Sequence, residues 1–334
     1  MNCNIIDLFL NIIDSFFEDN TQSKLKNKLQ SKIQSISQYK KYKLQNIYKL
    51  REWVNIDKIN WYALSRNPNA IGLLEKNIEK IWWQAFSSMP NAISIIEKNL
   101  DKIDWKCLCF NSNAIHILEQ NLDKIDWRSL SRNENAIHLL EKNLEKINWM
   151  YLSRNPNAIP ILEKNIDKID WKELSFNPNA ISILEKNLDK IIWIPLSVNP
   201  NAIPILEKNL DKIHWNTLSL NENGISILEK NLDKIHWISL SLNPNAIHLL
   251  EKNMDKIYWT WLSRNKNAIH LLKKNIDKID WYYLSYNPSI FEYDYESMHK
   301  HFYDTYGREL IETLYNPKNF NKFGKDQWNI DEDL

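Results

Sequence analysis

Residues 177–193 read NPNAISILEKNLDKIIW, and close variants of this stretch recur along most of the chain. Its first part carries the signals of a short helix. Asn177 is a suitable N-cap, and Pro178 suits the first helical position, where its missing N–H costs nothing. Ile183 and Leu184 belong to an apolar face with helical spacing. The stretch therefore predicts a short amphipathic helix over residues 177–187.

The end of the same stretch predicts a turn and then a second helix. Asn187 favours a left-handed residue that ends the first helix, because Asn is the commonest substitute for Gly at that position. The link that follows is expected to add Leu188 and Ile191 to the core. A second helix should begin near Trp193, often after a capping acid such as Asp126 in an earlier copy.

This second helix is expected to be shorter than the first. In the copy DWRSLSRN, residues 126–133, it covers barely one and a half turns, which is short enough for 3₁₀ geometry. Spacing of three residues places Trp127 and Leu130 inward. Arg128, Ser129 and Arg132 are then expected to face outward.

Tryptophan marks the period of the array. Eleven tryptophans follow one another at a step of 22 residues: Trp61, Trp83, Trp105, Trp127, Trp149, Trp171, Trp193, Trp215, Trp237, Trp259 and Trp281. One pair of short helices cannot bury a tryptophan alone, but stacked pairs share a continuous core. The sequence predicts an all-α solenoid of about ten 22-residue repeats, each with two short helices and one buried tryptophan.

The segments on either side of the array differ from it in composition. We expect three parts: an N-terminal helical cap with a basic segment (1–52), the tandem-repeat solenoid (53–290), and a C-terminal helical cap and tail (291–334). The basic segment, 24–51, carries nine Lys or Arg with no acid. If each layer lies about 8–10 Å from the next, the array forms a rod or superhelix of about 80–100 Å whose two ends need caps.

Composition bounds the environment of the chain. The three cysteines, Cys3, Cys107 and Cys109, form no C-x-x-C pair, so a disulfide framework is not indicated and a reducing compartment is expected. No apolar run is long enough to span a bilayer. We therefore expect a monomeric cytoplasmic protein without a membrane partner.

The long motif NPNAIxLLEKNxDKIxWxxLSxNPNAI resembles the tandem repeats that giant viruses of amoebae encode in large protein families. The ending NPSIFEYDY followed by ELIETLYNPKNF is similar to the way such arrays finish. The resemblance covers about residues 53–320. It implies a virion-associated protein or one in the host cytoplasm, and it implies little about activity. The order of Asn-Pro, Leu-Leu and Trp is also similar to leucine-rich-variant repeats, which implies alternating α- and 3₁₀-helices.

Catalytic chemistry has little support in the sequence. Almost every polar residue recurs in each layer, and the motifs of nucleotide-binding loops, serine hydrolases and zinc proteases are lacking. A column of histidines (His116, His138, His248 and His270) is expected on the solvent face, one layer apart. His299 and His301 are two residues apart, which places them on opposite faces of a helix. We expect no enzyme, no metal and no cofactor.

Functional residues are expected where the repeat varies. The first, second and fifth residues after each tryptophan change freely, and five of the seven arginines fall in these columns or beside them. Arginine and aromatic residues are enriched at protein interfaces. The candidate binding residues are Arg66, Arg128, Arg132, Arg154, Phe176, Ile194, Val198, Leu220, Ile238, Leu242, Trp261, Arg264 and Tyr286.

The preferred interpretation is a non-enzymatic scaffold that binds a protein or peptide partner through these columns, in the setting of a virus–host interaction. An apolar strip in the fifth column, bordered by Arg154 and Arg264, is its expected centre. The alternative for this column is packing between layers. The alternative function is binding of nucleic acid, but 29 bases against 28 acids over residues 52–290 provide no basic track.

Overall fold

The structure is a computed structural model that describes residues 48–297. Within it, residues 50–292 form one compact unit. Most of the predicted N-terminal cap and basic segment, the His299 and His301 pair and most of the predicted C-terminal cap lie outside the described residues.

Two short helices recur in each repeat, as predicted. We call one of them the Trp helix, because each copy begins at a repeat tryptophan. The Trp helices are Trp61–Leu64, Trp83–Ser87, Trp105–Leu108, Trp127–Leu130, Trp149–Ser153, Trp171–Ser175, Trp193–Val198, Trp215–Leu218, Trp237–Leu242, Trp259–Arg264 and Trp281–Ser285. The second, which we call the Ile helix, follows after a turn. The Ile helices are Ile71–Glu75, Ile93–Ile96, Ile115–Glu119, Ile137–Glu141, Ile159–Glu163, Ile181–Glu185, Ile203–Glu207, Ile225–Glu229, Ile247–Glu251 and Ile269–Lys274.

Short 3₁₀ turns complete most repeats. Those in the link before the next Trp helix are Ile56–Lys58, Ile78–Lys80, Leu122–Lys124, Leu144–Lys146, Ile166–Lys168, Leu188–Lys190, Leu210–Lys212, Leu232–Lys234, Met254–Lys256 and Ile276–Lys278. Four more 3₁₀ turns begin at a proline: Pro90–Ala92, Pro156–Ala158, Pro244–Ala246 and Pro288–Ile290. We number the repeats by their tryptophans, so that repeat 1 contains Trp61 and repeat 11 contains Trp281.

A side-chain cap marks the start of the Trp helix in seven of the eleven repeats. The carboxylate of Asp126 accepts a hydrogen bond from the N–H of Ser129 at 2.7 Å, as its predicted capping role requires. Ser131 then joins two repeats, because its hydroxyl donates to the carbonyl of Trp127 and accepts from the N–H of Asn148. The prediction that Ser129 faces outward is wrong, since the residue is fully buried. Packing of the next layer over this short helix covers it.

The Ile helix is shorter than predicted. It begins at Ile181 rather than at Asn177, and residues 177–180 form a turn. Where Asn-Pro is followed by a 3₁₀ turn, the predicted cap is present: the side chain of Asn155 accepts from the N–H of Asn157, with Pro156 at the first position.

Two predictions about the link are wrong. Asn187 is not left-handed, because its φ is −137°. Its side-chain amide instead donates to the carbonyl of Ile183 at 2.8 Å, which satisfies the end of the Ile helix without a positive φ. Leu188 is not in the core either, because it is 53% exposed, whereas Ile191 is buried.

The core lies between the layers and consists of repeated columns of Leu, Ile and Ala, such as Leu130, Leu140 and Ala136, none of which is exposed. The repeat tryptophans form a ladder at the edge of this core. The prediction that these rings are buried is wrong, because each is only half-buried. Each ring is covered by the ammonium group of a lysine from the next repeat, for example Lys190 at 4.7 Å from the centre of the Trp171 ring.

A second ladder, made of buried asparagines, runs through the layers. In ten of the eleven repeats, the side-chain amide of an Asn donates to two backbone carbonyls of the previous repeat. Asn199, for example, donates to the carbonyls of Ser175 and Asn177, each at 3.0 Å. Repeat 2 has Met89 at this position, which cannot donate. These bonds hold each layer in register with the one before it.

The array closes on itself. The amide of Asn67 in repeat 1 donates to the carbonyls of Ser285 and Asn287 in repeat 11, both at 3.0 Å. The other contacts between neighbouring repeats are present here too: Asn60 N–H donates to the Ser285 hydroxyl, and Lys58 lies 5.2 Å from the centre of the Trp281 ring. The array is therefore a closed ring rather than the predicted rod or superhelix with two separate ends. Eleven layers in one closed turn require a mean rotation of about 33° per repeat.

Two short strands pair with each other at the joint between repeats 11 and 1, and one of them lies where repeat 11 departs from the consensus. Strand β1, Tyr48–Leu50, pairs with strand β2, Phe291–Tyr293, which takes the place of an Ile helix. Next to this pair, Arg51 N–H donates to the carbonyl of Ile290, and the Arg51 guanidinium contacts Glu292 at 2.9 Å. We call the joint between repeats 11 and 1 the seam. Within residues 55–290, the two end layers therefore cover each other.

Candidate functional site

The Trp helices lie on the inner side of the ring. In a closed array, elements on the inside are closer together than elements on the outside. The most extensive packing between neighbouring repeats is from one Trp helix to the next, including that of repeat 11 onto that of repeat 1. Lys266 also reaches Glu222, two repeats away, at 3.7 Å. The first and fifth columns after each tryptophan therefore face a concave surface.

Closure forms a cavity at the seam. We call it the seam basin; its volume is about 310 Å³, and it is lined by side chains from repeats 8 to 11 and from repeat 1. Four predicted binding residues lie in it: Arg66, Leu242, Arg264 and Tyr286. Glu222, Lys266 and three prolines complete most of the lining. The structure thus brings together candidates that are up to 220 residues apart in sequence.

The arginines of the basin lie over aromatic rings. Arg264 is 5.0 Å from the centre of the Tyr286 ring, and Arg66 is 5.4 Å from that of Trp82. Burial and the hydrogen bond between the Tyr286 and Tyr282 hydroxyls raise the pKa of Tyr286 to about 12, so its hydroxyl is neutral at physiological pH. The basin therefore offers cationic groups on an apolar and aromatic floor.

A second group of predicted residues, which we call the arginine cluster, comprises Arg128, Arg132, Arg154 and Phe176. Arg154 lies 4.1 Å from the centre of the Phe176 ring and contacts Glu173 at 3.3 Å. Burial and the charge of Arg154 lower the pKa of Arg132. The carboxylate of Glu173 thus lies near the guanidinium groups of both Arg154 and Arg132.

Between these two groups the fifth column is apolar. Its residues Val198, Leu220 and Leu242 are half-buried. This burial lies between the two predictions for the column, an exposed strip and residues packed between layers. In the first column Ile194 and Ile238 are 54% and 44% exposed. The apolar arc of repeats 6 to 9 is therefore partly open to solvent and bordered by Arg154 and Arg264, as the sequence suggested.

Trp261, in the second column, does not line the seam basin. It is half-buried, and its ring centre lies 5.2 Å from that of Tyr283 in the next repeat. Packing between layers accounts for its position.

Sequence reasoning missed the seventh position after each tryptophan. This column is Pro in seven repeats, and it holds Ser112, Glu134, Glu222 and Lys266 in the others. Glu222 and Lys266 line the basin. The replacement of Pro by a charged residue in this column was therefore the sequence signal that could have identified them. The aromatic partners Tyr62 and Trp82 were also missed, because they contact Arg66 only through folding.

The cysteines and the column histidines lie outside the seam basin. Burial raises the pKa of the Cys107 and Cys109 thiols to about 11, so both are protonated at neutral pH. The four column histidines are exposed, as predicted, and each contacts a glutamate of the previous repeat at 2.8–2.9 Å. Within residues 48–297, no group of three His, Cys, Asp or Glu side chains could hold a metal ion.

No family model matches the chain, and no curated protein or solved structure is significantly similar to it. Among residues 48–297, no helix is long and apolar enough to cross a membrane. The class of protein that the fold defines is a closed α-solenoid of tandem repeats.

Proposed function

We propose that this protein is a non-enzymatic scaffold that binds a protein or peptide partner at the inner side of its repeat ring. The observation that carries the proposal is the convergence of the variable columns on one concave surface. There, an apolar arc is bordered by arginines, and a cavity forms at the seam. A fixed framework with variable residues on its concave side suits partner recognition, because those residues can change without disturbing the core.

Resemblance to the repeats of giant amoebal viruses extends this proposal to a host protein as the partner. A scaffold of this kind needs no unique catalytic constellation. It needs an exposed surface that is specific in charge and shape.

The test is a selection of binders from a random peptide library on the wild-type protein. The inner surface is then changed by Leu220→Ser together with Leu242→Ser, and the outer surface by His248→Ala together with His270→Ala. We expect the selected peptides to lose binding to the first variant and to retain it with the second. Because both leucines are only half-buried, circular dichroism should show an unchanged helical signal.

Two results would overturn the proposal. One is a selection that yields no specific peptide. The other is a set of peptides that bind the inner-surface and outer-surface variants equally well. If the inner-surface variant unfolds, Arg264→Ser at the exposed border of the arc provides the same test with less loss of packing.

Nucleic acid is the second candidate, favoured by one observation. Arg128, Arg154 and Arg264 each lie within 5.1 Å of an aromatic ring centre on the inner side, and such pairs also suit stacked bases. Binding of labelled single-stranded RNA that weakens steeply with salt would favour this candidate over the first.

A further inference from the structure

The seam basin exists only in the closed ring. Arg66 comes from repeat 1, whereas Leu242, Arg264 and Tyr286 come from repeats 9 to 11. If the seam opened, Arg66 would leave the other lining residues while each repeat stayed folded. The basin is thus a site whose completeness depends on closure.

Cationic groups in the basin exceed the anionic groups. Lys266 has Glu222 as its partner at 3.7 Å, with both side chains about half exposed. Within residues 48–297, Arg66 and Arg264 form no ion pair with a carboxylate; their contacts are with the aromatic rings beneath them. Among the described residues, two guanidinium groups therefore have no carboxylate paired with them, and guanidinium is the side chain best suited to bidentate pairing with carboxylates.

Apolar surface accompanies these charges. Leu242 and Tyr286 are half-buried, and Pro68, Pro244 and Pro288 line the same cavity. Rigid prolines lose little entropy when a ligand packs against them. A ligand that fits must carry both carboxylates and an apolar side chain.

We propose that the seam basin binds an acidic peptide segment of the partner, with carboxylates paired to Arg66 and Arg264 and an apolar side chain packed against Leu242 and Tyr286. Because the open ring lacks Arg66, one of the two guanidinium groups of this site, the peptide binds the closed ring more tightly and stabilises it. The reciprocal effect follows from linkage: whatever opens the seam weakens peptide binding. This inference rests on the proposed function and names its partner chemistry.

The first experiment tests the charge requirement. The probe is a fluorescein-labelled peptide, Glu-Asp-Leu-Glu-Asp-Leu-Glu, and the comparison peptide has Lys at every acidic position. In anisotropy titrations of the full chain, the acidic probe should bind and the basic one should not. Arg66→Glu and Arg264→Glu should each weaken binding about tenfold or more, because a charge-assisted contact becomes a repulsion. Lys208→Glu, an equal charge change at an exposed site outside the basin, should leave binding unchanged.

The second experiment tests the dependence on closure. Asn67→Ala removes the two bonds of the seam ladder, and Asn199→Ala removes the same two bonds at an interior joint. We expect about tenfold weaker probe binding for the first variant and wild-type binding for the second. If Asn67→Ala does not fold, Arg51→Ala replaces it as the seam variant. This change removes the ion pair with Glu292 at the seam and disturbs less of the packing.

The outcomes separate this inference from the proposed function. Equal binding of acidic and basic probes, or no loss with Arg66→Glu and Arg264→Glu, would overturn the acidic-peptide site, even if library peptides still depend on Leu220 and Leu242. Wild-type probe binding by both seam variants, with the seam open in scattering measurements, would overturn the coupling to closure.

Discussion

The seam and the interior joints share their ladder contacts but differ in two respects: the seam has a strand pair in place of an Ile helix, and the chain does not run through it. At the seam, Asn67 bonds two carbonyls at 3.0 Å each, and at an interior joint Asn199 does the same at the same distances. Both joints also have a buried serine that accepts a backbone N–H from the next repeat and a lysine that covers the tryptophan ring. Only the interior joint has the chain running through it. The comparison indicates that repeat 11 recognises repeat 1 as it would recognise a next repeat in sequence.

The covalent difference decides what each joint does when it is weakened. At an interior joint, the chain keeps the two layers adjacent, so broken contacts re-form readily. At the seam, only non-covalent contacts hold the layers together. Equal losses of energy should therefore have unequal effects on the dimensions of the molecule.

The largest effect is expected from the asparagine ladder. Asn67→Ala and Asn199→Ala each leave two buried carbonyls without a side-chain donor and should cost about 2–4 kcal/mol of local stability. Small-angle scattering should show an increased radius of gyration for Asn67→Ala alone. An equal increase for both variants would show that covalent continuity does not distinguish the joints.

Removal of a tryptophan should cost a similar amount of stability. Trp281→Ala at the seam and Trp171→Ala in the interior are each expected to lower stability by about 2–4 kcal/mol. This cost is low for the replacement of a large aromatic residue by Ala, because these rings are half-buried. Chemical denaturation followed by circular dichroism measures this loss. A cost above about 5 kcal/mol would mean that the rings contribute more than their exposure indicates.

A smaller effect, of opposite sign, is expected at the one gap in the ladder. Met89→Asn should supply the missing amide to the carbonyls of Ser65 and Asn67 and stabilise the protein by about 1 kcal/mol. The reciprocal change, Asn221→Met, should destabilise it. A rise in the melting midpoint for the first and a fall for the second are expected. If Met89→Asn lowers the midpoint, local packing at repeat 2 has adapted to methionine.

The smallest effect is expected from the lysines over tryptophan. Lys58→Met at the seam and Lys190→Met in the interior each remove one such contact and should cost about 0.5–1 kcal/mol. The two losses should be equal within error in denaturant titrations. A clearly larger loss for Lys58→Met would show that the seam depends more on this contact than an interior joint does.

Local features were predictable from sequence because they depend on neighbouring residues. The caps at Asp126 and Asn155 and the tryptophan period are of this kind. Leu188 and Ile191 were treated alike because apolar character alone cannot tell which of two nearby residues faces the core. Hydrogen bonds of Asn187 to its own helix likewise replaced the expected left-handed turn.

Closure could not be predicted in the same way. It depends on the rotation accumulated over eleven joints, and no single residue encodes that rotation. For this reason the candidate arginines could be named, but the meeting of Arg66 with Arg264 and Tyr286 could not. The departure of residues 289–293 from the consensus was visible, yet its role in a strand pair at the seam requires the closed geometry.

A closed ring constrains how its gene can change. Tandem repeats gain and lose copies by unequal recombination, and an open array accepts such changes at its ends because each layer contacts only its neighbours. Here, loss of one copy would require the mean rotation at every remaining joint to rise from about 33° to about 36°, or the two ends would no longer meet. Point substitutions in the variable columns carry no such penalty. Selection for closure therefore fixes the number of copies while it leaves their inner surfaces free to diverge.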